Sequence, residues 1–269
     1  MSDLAVSMPA EGCHLFSGCG YPAPSINDFY FKPIFSIGVF HFTKPMLLAI
    51  VSCAIVVTFF FVAFRKPKIV PRGSQNLGEM GVLFVRDQVL RPQLGKEGDK
   101  YLPFLVSIFF FVWVMNLFGI IPLVDFPATS RIAFPAGLAF IVWVTYITIG
   151  MRTKGPIGYF KQMAIPQGAP WWILPLLAPI ELFSNILVRP FTLTIRLFAN
   201  MLAGHLLLLV FGLASWYLFG LSIGLLFSVT SFLLTIILTG LEVLIQALQA
   251  FIFATLTAFY IADARQTVH

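Results

Sequence analysis

From residue 45 onward the chain alternates long apolar runs with short polar segments that are mostly basic. A helix needs about 20 predominantly apolar residues to cross a hydrocarbon core. "PMLLAIVSCAIVVTFFFVAF" (45–64) and "YLPFLVSIFFFVWVMNLFGIIP" (101–122) meet that length, and "AGLAFIVWVTYITIGM" (136–151) does so with its flanks. Two longer runs follow, at 173–219 and 221–262, each roughly twice a perpendicular crossing. Each predicts either two pieces folded back on each other or one steeply tilted helix. Tilts average about 20° and stay below about 40°, so length mismatch alone does not account for such runs. The pattern predicts an all-α polytopic membrane protein of about five crossings, with a final pair shaped to lie along something.

Composition and charge agree with that reading. The 269 residues are 59% hydrophobic and 10% charged, against about 25% charged in soluble domains. The net charge of +6 would suit a nucleic-acid partner only if it were gathered on a soluble domain. Instead, eight basic residues (Arg65, Lys66, Lys68, Arg72, Arg86, Arg91, Lys96, Lys100) fall in 65–100, and Arg152, Lys154 and Lys161 fall in 151–170. The opposite side has only Lys32, Lys44 and Arg131. With five crossings, the positive-inside rule puts the N-terminus outside and the C-terminus in the cytoplasm. The organisation expected is an extracytoplasmic tail (1–44), a first membrane helix (45–64), a basic cytoplasmic segment (65–100) and a helical membrane domain (101–269). Within the basic segment, "NLGEMGVLFVRDQVL" has patchy amphipathicity and reads either as a short interfacial helix or as a solvated loop. No internal repeat is visible, which weighs against the duplicated architectures of many secondary transporters.

The N-terminal tail has neither the basic start nor the apolar centre of a signal peptide. Its Cys13 and Cys19 could pair in an oxidising exterior or remain free thiols. With His14 and Cys53 they make no convincing zinc pattern.

The chemistry is expected among the few polar residues at membrane depth: Asn116, Glu181, Arg189, Arg196, Asn200, His205, Glu242, Gln246 and Gln249. Such residues mark pathways or pairing sites. At about 100° per residue, Arg189, Thr192, Arg196, Asn200 and Ala203 form one stripe, and His205 falls half a turn from Arg196. Glu242, Gln246, Gln249, Phe253 and Tyr260 form another stripe, which reads as the wall of a wet cavity. Ala199, Ala203 and Gly204 would let another helix approach closely. Each residue also has a plainer reading. Arg189 could snorkel or bind lipid phosphate, Glu181 could line a solvated mouth, and Asn116 could be a packing amide. Arg196 could form a static pair with Glu242, with Asn200 as a hydrogen-bonding neighbour. On the residues alone, staple and function weigh equally for Arg196.

"RPFTLTIRLFANMLAGH" followed by "LEVLIQALQAFIFATLTAFYIADA" closely resembles subunit a of the F-type ATP synthase membrane sector, in its actinobacterial look, and "MNLFGIIP" resembles that family's asparagine-bearing segment. The resemblance covers roughly residues 100 to 263. It implies that the two long helices form a strongly tilted hairpin against a rotating ring of c subunits, and that 101–269 is the ion-translocating domain. It implies that Arg196 faces that ring and separates two aqueous half-channels. His205, Glu242 and Asn116 would belong to the extracytoplasmic half-channel, and Glu181 with Ser184 to the cytoplasmic exit. Gln249 and Asn200 would hold the guanidinium. Glu181 lies fifteen residues before Arg196, one more than the commonest spacing expected for the family, and a helical bulge would absorb the extra residue. Where some members carry an aspartate, this chain has Gly119, so that polar role is absent or moved to Asp125.

Proton translocation is expected, with a b-type peripheral stalk, the soluble synthase sector and lipid as further partners, and with no cofactor, metal or nucleic acid. The chain carries no phosphate-binding glycine loop and no nucleophile, so ATP chemistry would belong to partner subunits. The competing readings are a secondary transporter binding an anion at Arg196 and a purely structural membrane stator.

Overall fold

The computed structural model describes residues 35–37, 40–121, 128–164, 173–219 and 223–265. A short antiparallel pair, β1 (Phe35–Ile37) and β2 (Phe40–Phe42), leads into α1 (Lys44–Phe64). Next come α2 (Ser74–Phe84), a π segment (Val85–Leu90), α3 (Arg91–Leu94) and a 3-10 turn (Lys96–Tyr101) that runs into α4 (Leu102–Leu117). The chain continues through α5 (Ala133–Lys154), α6 (Pro156–Ala164) and α7 (Leu174–Phe183), then a second π segment (Ser184–Val188), α8 (Arg189–Tyr217) and α9 (Ile223–Arg265).

Among the described residues, five stretches are long and apolar enough to cross a membrane: Lys44–Phe64, Lys96–Leu117, Ala133–Lys154, Leu174–Tyr217 and Gly224–Arg265. The alternative of folded-back pieces for the last two is thereby settled, because each is one continuous helical run. Their 44 and 42 residues correspond to about 66 and 63 Å at 1.5 Å per residue. No proline interrupts α9, and its hydroxyls turn back onto their own helix: Thr235 Oγ1 donates to the Ser231 carbonyl at 2.9 Å and Thr239 Oγ1 to the Thr235 carbonyl at 2.7 Å. An apolar helix carries threonine without stranding a donor in this way. Large side chains such as Phe232, Ile237 and Leu244 are 57–66% exposed, so the described residues leave that face of α9 largely uncovered. At the end of α5, Gly155 takes φ 75°, a left-handed turn that favours glycine and stops the helix.

The fold divides into two compact units. One comprises 53–113, 132–198 and 249–269. Its core gathers Leu105 and Val112 of α4, Val142 and Tyr146 of α5, Leu193 and Leu197 of α8, and Phe253 and Ile261 of α9. The basic segment joins this core, since Val85, Val89 and Leu90 are fully buried and Phe84 packs against Phe109 and Phe251 with ring centroids 5.9 Å apart in each case. That segment is helical and not a loop. Leu77, Met80 and Leu83 leave it an exposed apolar face. Buried Gln75 fixes its entry, accepting from the Lys68 N–H at 3.0 Å and donating to the Lys68 carbonyl at 2.9 Å. Arg86 donates to Asp87 at 3.0 Å and holds that exposed carboxyl below its usual range.

The other unit comprises residues up to Ser52, 114–131 and 199–248. Here α8 and α9 are tied by a reciprocal pair: Ser228 Oγ donates to the Ser215 carbonyl at 2.6 Å and Ser215 Oγ to the Ser228 carbonyl at 3.2 Å. The Cys13–Cys19 pairing and the Asp125 alternative lie outside the described residues, and Cys53 is a free, exposed thiol.

Candidate functional site

Helix α8 divides its faces as periodicity requires. Leu193, Leu197 and Met201, four residues apart, are 0–2% exposed. The neighbouring stripe, about 100° round the helix, is more open: Thr192, Asn200 and Ala203 are exposed and Arg196 is half-buried. His205 lies on the inward side, 3% exposed.

In the unit that holds 114–131 and 199–248, the buried polar residues among those described are Asn116, Thr129, Ser130, His205, Ser228, Glu242 and Gln246, together with Ser52. Asn116, near the end of α4, is fully buried and its Oδ1 accepts from Thr129 Oγ1 at 2.8 Å. Beyond it the chain turns, with the Gly119 N–H donating to the Asn116 carbonyl at 2.9 Å. Glu242 is 4% exposed and lies over Gly204: a Cβ there would stand 3.3 Å from Glu242 Oε1. The glycine beside His205 thus makes room for the carboxylate, as expected of a small residue at a helix crossing. Among the described residues, the Asn116 side-chain nitrogen and both polar atoms of Gln246 have no hydrogen-bond partner. Buried polar groups of this kind are ordinarily satisfied by water.

Among the described residues of the unit holding Arg196, the guanidinium makes no ion pair or hydrogen bond. Gln249 is buried, 2% exposed. The lower part of the α9 stripe is packed core and no cavity wall: Phe253 is fully buried, and Tyr260 sits 5.7 Å from the Tyr146 ring. Arg189 neither snorkels nor stands ready for lipid phosphate. It donates to Asp263 at 2.6 Å and lies 5.3 Å from the Tyr260 ring centre. A second pair, Arg265 to Glu97 at 3.1 Å, fastens the same end of α9 to the start of the second crossing. The sequence pattern did not single out Asp263 or Glu97, because no local period links either acid to its distant arginine.

Glu181 and Ser184 are half-buried, and the π segment Ser184–Val188 lies between Glu181 and Arg196. The expected helical bulge is therefore present. Outside the crossings, Tyr159 packs on Gly150, and burial pushes its phenol up to about 12. Among the described residues, no group of three or more His, Cys, Asp or Glu could hold a metal ion.

A family model described as ATP synthase A chain matches residues 46–262. The ATP synthase subunit a of Streptomyces lividans is 48% identical over 260 residues, covering 96% of this chain and 92% of that protein. That of Frankia alni is 45% identical over 250 residues, covering 91% and 86%. That of Pseudarthrobacter chlorophenolicus is 40% identical over 266 residues, covering 97% of each.

Proposed function

The chain belongs to the ATP synthase A chain family, and from that premise we propose that it is the stator through which protons reach and leave the carboxylates of a rotating c-subunit ring. Arg196 stands between two offset aqueous half-channels. His205, Glu242 and Asn116 line the extracytoplasmic one, with Gln246 as a further wetted amide. Glu181 and Ser184 mark the cytoplasmic exit. Gln249 and Asn200 flank the arginine, and the N-terminus faces outside. A b-type stalk and the soluble sector complete the assembly, and the exposed apolar face of α2 rests on the cytoplasmic membrane surface.

The observation that supports this most is the state of Arg196: half-buried on the more open stripe of α8, with no ion pair among the described residues of its unit. A permanent cation at membrane depth is costly and ordinarily finds a counter-charge. A rotor contact would bring that counter-charge from another subunit. Arginine suits the task because it stays protonated and so cannot hand a proton across. It favours the ionised form of an acid brought near it, so a rotor carboxylate releases its proton on approach and takes another after passing. The contact must stay hydrated, since breaking a dry buried pair costs about 3–5 kcal/mol while one charge gains only about 2.3 kcal/mol per 100 mV. Histidine, titrating near neutral pH, suits a relay.

The test is ATP-driven proton pumping in inverted membrane vesicles. Arg196→Ala should abolish it while the complex still assembles. Normal pumping by that variant refutes the reading.

A further inference from the structure

Pro190 lies inside the helical run Leu174–Tyr217. It brings no backbone N–H, and its ring crowds the carbonyl four residues earlier. The chain answers with the π segment Ser184–Val188, in which the Arg189 N–H reaches back to the Ser184 carbonyl. In that pattern the Asn185 carbonyl would next accept from residue 190, and in an α pattern the Ile186 carbonyl would do so. Proline can serve neither. Two carbonyls are left over at membrane depth, where lipid offers no donor.

Both are taken by α5. Tyr146 OH donates to the Asn185 carbonyl at 2.9 Å, and Trp143 Nε1 donates to the Ile186 carbonyl at 2.9 Å. Tyr146 is 1% exposed, so its hydroxyl has no access to bulk water. Buried Asn185 adds a weaker tie, its Nδ2 donating to the Met163 carbonyl at 3.4 Å. A π turn holds one residue more than an α turn, so it rotates the helix before it by about 100° relative to the helix after it. Glu181 lies before the turn and Arg196 after it.

We infer that Trp143 and Tyr146 are positioning residues for the translocation path: their two donors hold the turn made by Pro190 and so set the angle of Glu181 relative to Arg196. This rests on the function proposed above. Neither aromatic needs to touch the ion.

The test uses the whole complex in native membranes. Trp143→Phe combined with Tyr146→Phe keeps the rings and deletes both donors. Assembly should be preserved, and proton-driven ATP synthesis should fall roughly ten- to a hundredfold, the scale expected when a reacting group is displaced by part of an ångström to an ångström. In a background with Cys13, Cys19 and Cys53 replaced by serine, the thiol introduced by Glu181→Cys should change its labelling rate with a membrane-impermeant reagent. Pro190→Ala returns the missing N–H and lets the run close as an α-helix. It should change the labelling in the same direction, and the two Phe substitutions should then add nothing. A merely structural role would lower assembly and leave labelling of the assembled fraction unmoved, which overturns the inference, as does strict additivity with Pro190→Ala. If labelling is unmoved while Arg196→Ala is still inactive in pumping, this inference fails and the proposed function stands. If Arg196→Ala pumps normally, the proposed function fails whatever the labelling shows.

Discussion

Gly204 offers a graded probe of the buried carboxylate. A Cβ added there would lie 3.3 Å from Glu242 Oε1 and 3.4 Å from its Cδ. Alanine therefore asks the carboxylate to yield by only a few tenths of an ångström, and Gly204→Ala should keep proton-driven ATP synthesis within about tenfold of the parent. Valine adds two methyl groups beyond that Cβ, so Glu242 must move by about 1 Å. Overpacking of this kind costs about 1–3 kcal/mol, and a misplacement of that size in a relay costs on the order of a hundredfold in rate. Gly212 on the same helix is the control, because a Cβ there meets nothing within 4 Å. The assay is ATP synthesis by membrane vesicles under an imposed proton gradient, normalised to assembled complex. The expected order is Gly212→Val near the parent, Gly204→Ala slightly lower and Gly204→Val about a hundredfold lower. Parental rates for Gly204→Val, or equal damage at Gly212, would refute the argument from contact geometry.

If His205 and Glu242 relay protons together, His205→Ala and Glu242→Ala should each slow pumping less than Arg196→Ala does. The exchanged double variant, His205→Glu with Glu242→His, should recover part of the rate; a dead exchange beside near-normal single variants rules the relay out. For the Arg189–Asp263 pair, Asp263 is 45% exposed, so solvent screening limits its worth to about 1 kcal/mol or less. Arg189→Gln with Asp263→Asn should therefore lower the thermal midpoint of the extracted complex less than Arg189→Gln alone. Tyr159 keeps its proton to about pH 12 in the fold but ionises near 10 when unfolded. Its contribution to stability is full below about pH 10 and is lost as pH rises toward 12, because only the unfolded chain releases the proton in that window. Tyr159→Phe should remove a late phenolate absorbance step and flatten the loss of stability over that range.

Much of the fold was legible because hydropathy and length decide crossings: all five apolar stretches appear with only their ends moved. The third begins at Ala133 and ends at Lys154, since its flanking basic residues close the helix and do not lie beyond it. The faces of α8 were also legible, periodicity separating Arg196 from His205. What the pattern did not carry was partnership between distant residues. Arg189 with Asp263 and Arg265 with Glu97 are set by where helix ends meet, which no local period encodes. The α9 stripe was read as uniformly wet, yet Phe253 and Tyr260 became core, because aromatic rings on a polar stripe still follow the packing around them. The bulge before Arg196 was signalled only by a count of residues. Its cause, Pro190, is explicit in the sequence, but the donors that answer it stand on another helix.

The most direct test of the account is a structure of the intact complex in a membrane, with the ring in place, from which the acid nearest the Arg196 guanidinium is read. The account predicts a carboxylate carried by the rotating partner, across a hydrated gap. Finding Glu242 of the same chain locked on Arg196, or lipid alone opposite it, would contradict the account.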